Sequence, residues 1–137
     1  MKRLARLVAL TALFAAPATA QQSPPEIAFE SVPRFLKYSP DMNLGEILGV
    51  AVNSAGTMVI LNHPGSANAG PIWGNSTTQL LEFDAEGSFV REIGKGVYGI
   101  AYAHQVRFDD DDNLWVVDKA ANTVVKFDPQ GYVMMNL

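Results

Sequence analysis

The side chains of this 137-residue sequence that could do chemistry fall in three places. His63 and His104 are its two imidazoles, and a neutral imidazole can ligate a metal or carry a proton near neutral pH. His63 lies in Asn62-His63-Pro64-Gly65, where Pro-Gly signals a turn, so it reads either as a polar group at a site or as a turn residue. Four successive carboxylates, Asp109 to Asp112, supply the hard oxygens that calcium takes, with Asp110 and Asp112 as candidate ligands. The competing reading is a solvated loop tip. Trp73 and Asn75 stand in GPIWGNSTT (Gly70 to Thr78), either a loop that contacts a peptide, glycan or protein ligand or an excursion packed by its own indole. Asn75-Ser76-Thr77 also fits a glycosylation acceptor, which matters only on a eukaryotic secretory route. There is no cysteine, which excludes a thiolate zinc site, a Cys nucleophile and a lipid-modified cysteine.

The elements that must position these groups repeat. GVAVNSAGTMVILN (Gly49 to Asn62) aligns with QVRFDDDDNLWVVD (Gln105 to Asp118) at an offset of 56, and QLLEFDAEGSFV (Gln79 to Val90) aligns with TVVKFDPQGYVM (Thr123 to Met134) at an offset of 44. The first copy therefore carries a 12-residue insertion between His63 and Thr78. Short β-rich runs alternate with turn signals and no helical period is sustained, so the class is all-β. Each copy predicts a four-stranded up-and-down sheet of blade size, with Asn53–Gly56, Asp84–Gly87 and Asp128–Gly131 as tight turns and Trp115 packed inside a strand. Blades bury their faces only against neighbours, and a closed ring takes about four to eight of them. The expected architecture is thus an incomplete β-propeller: an extended lead-in over 21–43, then blade-like repeats over 44–100 and 101–137. The second is expected to be truncated in its last strand, and the chain a fragment unstable as a lone monomer.

Residues 1–20 predict an export signal. Lys2, Arg3 and Arg6 precede the apolar run LVALTALFAA, which is shorter than the roughly 20 residues of a spanning helix, and Ala18-Thr19-Ala20 fits a cleavage site. Removing them leaves seven basic against fourteen acidic residues, a net charge of −7. An acidic exported chain disfavours nucleic acid and anionic membrane surfaces as partners, and no membrane anchor is expected after cleavage. The expected address is periplasmic or secreted.

FLKYSPDMNLGEILGVAVNSAG (Phe35 to Gly56), QLLEFDAEGSFVREIGKGVY (Gln79 to Tyr98) and AHQVRFDDDDNLWVVDKAANTVVKFDPQG (Ala103 to Gly131) together resemble the start of exported bacterial six-bladed NHL-repeat propellers. Those are similar to the lyase domain of peptidylglycine α-amidating enzymes. The resemblance implies a central channel in which histidines from several blades hold zinc, while an Arg and a Tyr help break the N–C bond of a peptidyl-α-hydroxyglycine. His104, in the AH-x-V-R segment, matches the first metal-binding histidine of that family; without a metal it is simply a channel or loop histidine. One histidine cannot hold zinc. Where the lyases carry His-Arg-Gly, this sequence has His63-Pro64-Gly65, and loss of the guanidinium removes the group that would orient a carboxylate. The sequence therefore implies a binding or unassigned role for this chain, and zinc-dependent lyase-like activity in a full-length protein as the alternative.

Overall fold

The computed structural model describes residues 24–64 and 78–137. The predicted export signal over 1–20 and the candidate residues Trp73 and Asn75 lie outside the described residues. The chain divides into Met1–Ser31 and Val32–Leu137. In the first unit, residues 24–31 are exposed and form no strand or turn.

The second unit is all-β. Strands β1 (Glu46–Val52), β2 (Met58–His63), β3 (Gln79–Phe83) and β4 (Phe89–Ile93) pair antiparallel in chain order. A second sheet repeats the order with β5 (Ala103–Phe108), β6 (Leu114–Asp118), β7 (Thr123–Phe127) and β8 (Val133–Asn136), so its fourth strand is present. The repeat holds at the level of register. Val50 faces Ile60 as Val106 faces Val116, and Phe83 faces Phe89 as Phe127 faces Val133. Even the irregularities recur, at Ile47/Gly49 and Ala103/Gln105 and again at Glu82/Phe83 and Lys126/Phe127. Such bulges bend and twist a strand, so their repetition gives the two sheets the same shape.

Tight turns join the strands of each hairpin by one chemical device. The side-chain oxygen of Asn53, Asp84, Asp109 or Asp128 accepts the backbone N–H four residues on, at 2.7 to 2.9 Å. The fourth residue of each turn is left-handed: Gly56 (φ 81°), Gly87 (φ 80°), Asp112 (φ 58°) and Gly131 (φ 90°). Asx residues favour such turns because the short side chain mimics a backbone acceptor.

Over β2 and β3 both faces of the first sheet are covered, while Val50 and Val52 of β1 stay exposed. On one side Ala51, Val59, Leu61, Leu80 and Ile93 pack with Ala103, Val106, Leu114, Val116, Val125 and Phe127 of the second sheet. On the other, Ile60, Leu81 and Phe83 are covered by Leu36 and Met42 of the lead-in and by Leu44 just after it. The lead-in turns at Pro33-Arg34 and Pro40-Asp41 and docks on the sheet. Lys37 N–H donates to Gly87 O at 2.7 Å and Lys37 O accepts Phe89 N–H at 3.0 Å. The fit is tight, because a Cβ on Gly87 would stand 2.2 Å from Phe35 O.

Gly87→Ala meets both a positive φ and that backbone contact, so it should destabilise the chain by about 1–3 kcal/mol. Hydrogen exchange checks the cause: the Lys37 and Phe89 amides should lose protection before those of β6.

Candidate functional site

The site forms where the end of β2 meets the start of β5. Asn62 and His63 close β2 and are buried. Asn62 Oδ1 accepts Gly45 N–H at 2.8 Å and its amide donates to Gln79 Oε1 at 2.9 Å, tying the starts of β1 and β3 to β2. Asp118, the equivalent residue in the second copy, does the same for the connector before β5. Its carboxylate accepts the N–H groups of Ala101 and Tyr102, both at 2.7 Å, and of Ala120 and Ala121 at 2.9 and 2.8 Å. Two residues of one aligned pair thus hold the backbone on which the ring-bearing residues sit.

His63 is 1 % exposed, pairs with Glu46 as the last residue of β2, and is a strand residue rather than a turn residue. The turn signal of Pro64-Gly65 acts one residue later, after the ladder has already fixed His63 in extended backbone. Its Nε2–H donates to Ala103 O at 2.9 Å. Thr78 Oγ1 lies 3.4 Å from the same nitrogen and accepts Ala103 N–H at 3.0 Å. Glu46 Oε2 is 3.9 Å from His63 Nδ1.

Three rings from three elements meet here. His63 and Tyr102 lie 4.3 Å apart between centroids, Tyr102 and His104 4.8 Å, and His63 and His104 5.9 Å. Lys119 Nζ stands 4.9 Å from the centre of the Tyr102 ring. Burial lowers the pKa of His63 from its usual 6.5; the hydrogen bond to Ala103 O opposes this, and His104 adds to the lowering. Tyr102 and Lys119 escaped the sequence reading. The signal available was an aromatic residue directly before the AH pair.

His104 Nδ1 faces Ala103 O at 3.1 Å, so its proton sits there and Nε2 carries the lone pair a metal would take. A catalytic zinc needs three protein ligands. Among the described residues no three His, Cys, Asp or Glu side chains converge. His63 directs Nε2–H at a carbonyl, so the pair does not by itself fit zinc.

The acidic run lies at the opposite end of β5. Asp109 accepts Trp115 Nε1–H at 2.8 Å, pairs with Lys126 at 3.0 Å and accepts the Asn113 amide; these donors, the indole foremost, hold its carboxyl well below the usual range. Lys126 also stands 4.8 Å from the centre of the Trp115 ring. Asp112 reaches the first sheet, where Ser54 donates both Oγ–H and N–H, the latter at 2.9 Å, and lowers its pKa. Asp110 is exposed at the tip. Of the two carboxylates named for calcium, Asp112 is engaged by Ser54 and Asp110 faces solvent.

Fold and site together define a two-sheet β-repeat chain with a histidine–tyrosine cluster at the junction of its repeats. No family model matches the chain, and no curated protein matches it.

With its folded pKa below the unfolded 6.5, His63 binds a proton more readily in the unfolded chain. The stability it supports is complete above pH 6.5 and falls as pH drops through that value toward the folded pKa. Urea midpoints measured between pH 8 and pH 5 should show this fall, and His63→Gln should flatten it.

Proposed function

We propose that the chain is part of an NHL-type propeller that binds a peptide, the ligand resting at the end of the sheets where His63, Tyr102, His104 and Lys119 collect. The observation that carries this reading is the meeting of three rings and an ammonium from separate elements of two repeats. Aromatic faces supply contact area at low entropic cost, and loops mounted on a rigid sheet are where repeat proteins place ligands. Ligation by His104 in a longer zinc protein of the lyase type is the second reading. The Nδ1–H to Ala103 O geometry favours it, since it leaves Nε2 available to a metal; the missing ligands would have to come from outside the described residues. An exported, periplasmic or secreted setting belongs to the same proposal, as does the absence of a nucleic-acid partner.

A peptide selected from a random heptapeptide library on the full chain should lose about tenfold or more in affinity on Tyr102→Ala. It should be little affected by Asp112→Asn, at the far end of β5. Equal losses from both variants would remove the peptide reading. Titration with zinc alone separates the second reading. A rise in melting temperature abolished by His104→Ala supports it, and no rise counts against ligation by this chain.

A further inference from the structure

The two faces of the first sheet have counterparts in the second. Phe127, Val125, Val116 and Leu114 of the second sheet stand at the positions of Phe83, Leu81, Ile60 and Met58, and both sets are covered, one by the first sheet and the other by the lead-in. The opposite face of the first sheet, with Val59, Leu61, Leu80 and Ile93, is covered by the second sheet. Its counterpart is Trp115, Val117, Val124 and Leu137 at the same offsets. It is open at Val117 (40 % exposed), Leu137 (68 %) and Met135, while Trp115, beneath the Lys126 ammonium, and Val124 are half-buried, and Arg107 stands at the place of Ala51. An apolar face repeating a packed one, in the same register, fits a sheet related to the second as the second is to the first.

The polar contacts between the sheets do not repeat. In the existing interface Ser54 donates to Asp112, and Arg91, held by Glu82, donates to Gln130 O and to Pro129 O at 2.9 Å. On the open face Asp110 stands where Ser54 stood, Met135 where Arg91 stood and Lys126 where Glu82 stood. Lys126 is already paired with Asp109. The hydroxyl donor has become a carboxylate acceptor and the guanidinium clamp has become a thioether. A sheet copied from the second would set its own Asp112 against Asp110, and like charges repel where solvent is partly excluded.

We propose that this open face seats a third four-stranded sheet, the next repeat in line, and that Asp110 selects one presenting a hydrogen-bond donor where the second sheet presents Asp112. The proposal rests on the propeller reading. It adds a residue that sets which repeat can follow which.

The test appends residues 94–137 directly after Leu137, the register at which Gly94 follows Ile93. Trp73→Phe throughout, and Trp115→Phe in the appended copy only, leave emission to the original Trp115. With Asp112→Ser in the appended copy, acrylamide quenching of Trp115 should fall several-fold relative to the unextended chain. The thermal midpoint should stand about 3 °C or more above that of the extension retaining Asp112. Asp110→Ser combined with the retained Asp112 should recover that difference. If both extensions protect Trp115 equally, stacking stands and selection by Asp110 is overturned. If neither protects it although both fold by circular dichroism, the stacking reading itself fails. If the unextended chain self-associates and protects Trp115 as it does so, the seat belongs to a second copy and the proposal fails.

Discussion

A sheet that is apolar on both sides must be covered on both sides. In β2 and β3 the residues alternate between two buried destinations: Val59, Leu61 and Leu80 turn to one core, Ile60, Leu81 and Phe83 to the other. MVIL and QLLEF therefore look like plain apolar runs rather than alternating polar and apolar, as strands buried on both faces do. At roughly 1.5–3 kcal/mol for each large side chain removed from water, two such cores outweigh any single turn or ion pair in the unit. The surface ion pairs, Lys95 with Glu92 among them, contribute little by comparison.

The functional cluster depends on the same packing. His63 belongs to the first repeat, Tyr102 and His104 to the second, and they meet because the shared core brings the end of β2 against the start of β5. Asn62 and Asp118 then fix the two backbones locally, each by accepting N–H groups from the segment before the first strand of its sheet. The cluster is a property of the junction rather than of either sheet alone.

Much of this was legible in the sequence because a repeat supplies two readings of every element. The alignments at offsets 56 and 44 placed all eight strands, their order and their turns, since both copies obey one pattern of apolar positions and Asx-headed turns. Contacts between copies were not legible. Nothing in one sequence shows that Ser54 meets Asp112, because no local rule links residues 58 apart. His63 was obscured by Pro64-Gly65, whose turn chemistry masks the ladder pairing just before it. The docking of Leu36, Met42 and Leu44 was hidden for a different reason: a segment that joins a sheet at one bridge, Lys37 to Ser88, needs no period of its own. Trp73 and Asn75 fall outside the described residues.

The lead-in lies on only one side of the stack, which gives the stack a polarity. Terminal caps in solenoid proteins shield one end of an array from promiscuous association. Leu36, Met42 and Leu44 do this for the first sheet, and the backbone pairing at Lys37 fastens them there. One outer face of the pair is thus wrapped by the chain's own backbone, while the other presents Val117, Met135 and Leu137 to solvent.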